Sequence, residues 1–140
     1  MAEAIFNHKI KELKIENAFQ SDSCGTGNYH IGGLADHRTI FLLKKNGVEI
    51  NHVVRQLVDD DLEEFEYVVA MDKNNHSNIM RLPSANKYAN KVKLMREYDP
   101  KGLGNVPDPY YGIERDFQEV FEILDRSIDS FIDELKLKRL

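Results

Sequence analysis

The chain predicts an α/β domain, a doubly wound parallel sheet with helices on both faces, and three observations carry that prediction. Helix-like and strand-like stretches alternate along the 140 residues. Tyr67-Val68-Val69-Ala70-Met71 is a continuous apolar run, as required of a parallel strand covered on both faces. Phe117, Val120, Phe121, Leu124, Ile128, Phe131, Ile132 and Leu135 recur at the spacing of one long amphipathic helix.

Taken in order, Ala2, Ile5, Phe6, Ile10 and Leu13 mark an opening helix that ends before about Asn17. Ala18 to Ser23 reads as a short strand running into a glycine-rich loop, Gly25 to Gly33. Thr39, Phe41, Leu42 and Leu43 suggest a second helix, stopped by Asn46-Gly47. After a connection carrying His52 to Leu57, Asp59 to Phe65 reads as one or two helical turns with acidic residues at the favourable end. The apolar strand at Tyr67 to Met71 is followed by a helix over Asn74 to Leu82 and a further strand over Lys91 to Tyr98. In the last helix Asp116 and Glu119 stand at capping-box spacing. A helix comes first where a βαβ unit would supply a strand, so a preceding strand is expected to be missing from the sheet.

Composition bounds the rest. At 41% hydrophobic content, residues 1–140 fit one domain with one core. A formal charge of −5 leaves no basic footprint for nucleic acid or acidic membranes. The single Cys24 excludes an internal disulfide and fits a reducing, cytoplasmic location; it reads as a small buried residue. There is no apolar signal core and no run of membrane-spanning length. His30 and His37 lack a convincing set of further metal ligands, so neither a metal nor another cofactor is expected. Gly25 to Gly33 lacks the Gly-Lys-Ser/Thr ending of a nucleotide loop.

Three blocks carry chemistry: Met1 to Phe6, Ser23 to Arg38, and Val106 to Phe117, the last containing Asp108-Pro109-Tyr110-Tyr111-Gly112. An Asp-Pro pair alone shapes a turn. Together the blocks resemble the low-molecular-weight protein-tyrosine-phosphatases, and the resemblance spans essentially all 140 residues. It implies the phosphotyrosine protein phosphatase I-like fold and hydrolysis of phosphotyrosine in proteins, or of aryl phosphates, through a cysteinyl-phosphate.

On that resemblance Asp108 is the general acid and base, Tyr29 and Tyr110 are the aromatic walls that sandwich the substrate ring, and Tyr111 is the neighbouring tyrosine on the substrate-binding side. Ser23 and His52 hold the phosphate-binding loop, Asp72 partners that loop's Arg, and Asp36 with Arg38 forms a structural ion pair. The family's Cys-x5-Arg loop falls immediately upstream of Met1. Cys24 does not replace it, because His30 stands six positions on where Arg is required. The 140 residues are therefore expected to lack the nucleophile, the loop Arg and the first central strand, and to be inactive by themselves. The alternative is a non-catalytic truncated protein that binds partners or oligomerises. In either case strand exchange or homo-oligomer formation is expected through open sheet edges. An arsenate reductase on this fold would need further redox cysteines, and Tyr110-Tyr111 disfavours a protein-arginine phosphatase.

Overall fold

The computed structural model describes residues 1–26, 37–50, 53–108 and 114–139. Two strands, β1 (Val68–Ala70) and β2 (Val92–Leu94), pair in parallel with Val68 opposite Val92 and Ala70 opposite Leu94. Between them lies α4 (Lys73–Ile79), the crossover that parallel pairing demands. The other α-helices among the described residues are α1 (Ala2–Glu12), α2 (His37–Lys45), α3 (Asp60–Glu64) and α5 (Glu114–Arg139).

The twofold alternation of the strands sorts side chains between two apolar clusters. Tyr67, Val69, Met71 and Met95 meet Ala4, Ile5, Phe6 and Ile10 of α1, Leu43 of α2 and the apolar stripe of α5. Val68, Ala70, Val92 and Leu94 turn the other way, onto Leu62 of α3, Ile79 of α4 and Ala85. The continuous apolar run thus has the reason assigned to it, a strand with helices on both faces. α1 is also tied to α5 by charge, with Lys9 Nζ 2.8 Å from Asp125 and 2.7 Å from Asp129.

The ends of α1 and α2 share one geometry. Gly47 takes φ +74°, and Val48 N donates to Leu43 O at 2.8 Å, so Asn46-Gly47 terminates α2 as its sequence requires. At the end of α1 the left-handed position is filled by Lys14, φ +61°, and Ile15 N donates to Ile10 O at 2.9 Å. That turn stops α1 at Glu12, before Asn17 as expected, and folds Ile15 back against the core.

Three further expectations are corrected. Residues 18–24 form no strand: only Gly25 makes a parallel bridge, to Gln56. Their side chains bind elsewhere, Ser21 to Asn7, Ser23 to Glu3 and Asp22 to Arg55. The strand expected over Lys91 to Tyr98 stops at Leu94, where Met95–Glu97 forms a 3₁₀ turn and the Glu97 carboxylate accepts from Leu94 N. α5 begins at Glu114, so Asp116 lies inside the first turn, where its charge favours the helix dipole, rather than capping it.

Candidate active site

Three segments carry expected site residues, and two of them meet at the carboxyl end of β1, the edge where open α/β sheets bind ligands. The first is the segment 21–26. Ser23 Oγ donates to Glu3 Oε1 at 2.7 Å, joining it to the first turn of α1. Thr26 Oγ1 accepts from Asn78 Nδ2 of α4 at 3.1 Å, and Gly25 exchanges backbone hydrogen bonds with Arg55 O and Leu57 N.

The second is the turn from β1 into α4. Asp72 caps α4, its carboxylate accepting from Asn75 N at 2.7 Å. This hydrogen bond is local work that any N-cap Asp performs.

The third is the stretch leading to Asp108. Val106 is buried in the core shared with α1, and its N–H donates to Met71 O at 2.8 Å. Asn105 Oδ1 accepts from Lys73 N at 3.0 Å. These bonds fasten the stretch across the end of β1, and Asp108 follows two residues later, exposed. Asp108 and Asp72 are therefore carried by segments bonded to each other, while Ser23 is carried by a segment bonded to α1 and α4. Tyr29, His52, Tyr110 and Tyr111 lie outside the described residues, as do His30 and Asp36. Arg38 places its guanidinium 4.6 Å from the centroid of the Phe117 ring.

Cys24 is not the small buried residue expected, because the whole residue is exposed. Desolvation of the sulfur nevertheless pushes its thiol up; Arg55 opposes this, while Asp61 and Asp22 reinforce it. A thiol held protonated is a weak nucleophile. The neighbouring ion cluster escaped sequence reasoning: Arg55 binds Asp22 at 2.8 Å and both carboxylate oxygens of Asp61 at 3.0 and 3.1 Å. Burial pushes the Asp61 carboxyl up, but Arg55 and Val58 N together hold it below its ordinary range. Glu3 was missed as well, since nothing in a linear pattern joins it to Ser23. A second ion cluster adjoins the stretch leading to Asp108, where Asp99 pairs with Arg96 and Arg126 and Arg96 also bonds Asn105 O.

Two surface hollows contain none of these site residues. One, of about 580 Å³, is lined by Lys45, Asn46, Arg115 and Gln118. The other, of about 240 Å³, is lined by His37, Arg38, Phe41, Leu42 and Phe117. Among the described residues no group of three His, Cys, Asp or Glu could hold a metal, and no helix is long and apolar enough to cross a membrane.

A parallel pair of strands covered by helices on both faces, with the Asp108 stretch fastened at the carboxyl end of β1, is the architecture of an open α/β domain. A family model described as low molecular weight phosphotyrosine protein phosphatase matches residues 1–140, and the chain belongs to that family. It is 36% identical over 134 residues to the low molecular weight phosphotyrosine protein phosphatase of Gallus gallus, covering 95% of this chain and 85% of that one. With the protein of the same name from Schizosaccharomyces pombe it is 43% identical over 114 residues, 80% of this chain and 72% of the other. Among solved structures it is similar to a protein tyrosine phosphatase from Entamoeba histolytica with Hepes in the active site. There the TM-score is 0.92 at 32% identity, covering 99% of this chain and 89% of that one.

Proposed function

We propose that this protein is a tyrosine phosphatase in activity as well as in family, with Asp108 as its general acid and base. The observation that supports this most directly is the Val106 N to Met71 O bond, which fastens the Asp108 stretch at the end of β1. In the proposed reaction a Cys thiolate attacks phosphorus and the bond from phosphorus to the phenolic oxygen breaks. Asp108 gives its proton to that oxygen. Asp108 then accepts a proton from the water that attacks the cysteinyl-phosphate, releasing phosphate and the thiolate. Tyr29 and Tyr110 flank the aryl ring with Tyr111 alongside, Ser23 and His52 hold the phosphate-binding loop, and Asp72 pairs with its Arg.

On this reading Cys24 is not the nucleophile, because His30 rather than Arg stands six positions on. The alternative reading is a non-catalytic protein that binds partners or self-associates, and it predicts no turnover of aryl phosphates.

The test is the intact mass of the protein isolated from its own cells, with p-nitrophenyl phosphate hydrolysis measured on the same sample. A species heavier than 16.2 kDa that hydrolyses the ester supports the phosphatase reading. In that species Asp108→Asn lowers turnover by roughly 10²–10⁴-fold, and Cys24→Ser leaves it unchanged. A native species of 16.2 kDa without turnover makes the non-catalytic reading the correct one. Full activity in the Asp108→Asn protein sinks the assignment of the acid.

A further inference from the structure

The geometry points to Arg96 as the positioning residue of the Asp108 stretch, a guanidinium that ties the buried Asp99 carboxylate to the backbone just before the general acid. This rests on the reading of Asp108 given above.

Arg96 lies in the 3₁₀ turn after β2. Its Nε donates to Asp99 Oδ2 at 2.9 Å, and its Nη1 donates to the carbonyl of Asn105 at 3.2 Å. The chain passes close against it. Gly104 has φ +151°, and a Cβ there would come within 2.9 Å of Arg96 Nη1, so any side chain would displace the guanidinium tip. The Asn105 side-chain oxygen accepts from Lys73 N, and Val106 N donates to Met71 O. The stretch is thus clamped between the carboxyl end of β1 and Arg96, and Asp108 emerges from the clamp.

The anchor does not depend on Arg96. Arg126 of α5 binds both oxygens of Asp99, at 2.8 and 3.1 Å, and Lys101 N donates to it at 2.8 Å. Arg96 therefore connects a carboxylate already fixed to α5 with the backbone that carries the acid. A lysine cannot reproduce this, because reaching a carboxylate and a carbonyl at once uses the planar fork of the guanidinium. Arg126 supplies the natural control, since it stabilises the same carboxylate and its guanidinium bonds end on Asp99 rather than on the Asp108 stretch.

The experiment uses the 140-residue chain, with amide exchange read at Val106 and the side-chain carboxyl carbon resonance read at Asp108. In Arg96→Leu, exchange at Val106 rises at least about tenfold, the size expected for one lost charged hydrogen bond, and the Asp108 resonance moves. In Arg126→Lys both stay near wild type once the change in global stability is subtracted. Should Arg96→Leu fail to fold, Arg96→Lys, which keeps the charge beside Asp99, decides by the same two readouts. Equal effects from the Arg96 and Arg126 variants, or no change at Val106, overturn the proposal and leave Arg96 as a stabiliser of Asp99 alone. Failure of the general-acid reading shows separately, as unchanged turnover of Asp108→Asn in the native protein while the exchange result stands.

Discussion

Asp99 shows what a single buried charge does here. Its side chain is fully enclosed, yet the Arg126 guanidinium, helped by Lys101 N and Arg96 against desolvation, holds its carboxyl down to about 2. A carboxyl depressed in the folded state contributes stability that is present above its unfolded value, near 4, and disappears as pH falls through about 2. The contribution is about 2–3 kcal/mol. Asp99→Asn should therefore lose about that much at neutral pH and flatten the acid limb of a denaturation profile between about pH 4 and 2. An unchanged acid limb in urea melts taken across that window would show that Asp99 is not the group responsible. Nothing in Tyr98-Asp99-Pro100 distinguishes this aspartate by eye; its partners lie 3 and 27 positions away.

Elements ended where their terminators allowed. Asn46-Gly47 is a stop that composition alone reveals, whereas the equivalent stop in Glu12-Leu13-Lys14-Ile15 carries no glycine, so the sequence bounds that end only as before about Asn17. A lysine in the left-handed region costs roughly 1–2 kcal/mol relative to its preferred backbone. Glycine removes that strain but adds unfolded-state entropy. The exposed Lys14→Gly should thus stabilise the protein by about 0.5–1 kcal/mol, seen as a higher urea midpoint with unchanged slope. A lower midpoint would mean that the Lys14 side chain contributes more than its backbone costs. In α5 the apolar stripe was legible except at the buried Ile123, which the expected spacing left out, and at Ser127, which is fully buried but carries a hydroxyl that no apolar pattern selects. Residues 18–24 failed as a strand for a different reason: a strand exists only through a partner, and their side chains are engaged with Asn7, Glu3 and Arg55.

At the scale of the whole molecule, the described residues pair β1 with β2 on one side only. An apolar strand with an unpaired edge is a template for another chain. The 140-residue polypeptide should accordingly self-associate, giving sedimenting species above 16.2 kDa and a melting temperature that rises with protein concentration. A 16.2 kDa monomer whose cooperative melt is independent of concentration would refute this.

By itself the sequence determined the class of fold, the alternation of elements, the strand buried on both faces and the membership of a phosphatase family. These are written in local periodicity and in contiguous blocks such as Val106 to Phe117. Only the tertiary structure decided that Ser23 binds Glu3, that Cys24 is exposed beside Arg55 and Asp61, and that Arg96 joins Asp99 to the backbone before Asp108. Periodicity reports which face of an element is apolar, because burial repeats with the turn of the helix or the pleat of the strand. Polar pairing does not repeat, and it depends on which distant segments the packed core brings within hydrogen-bond reach.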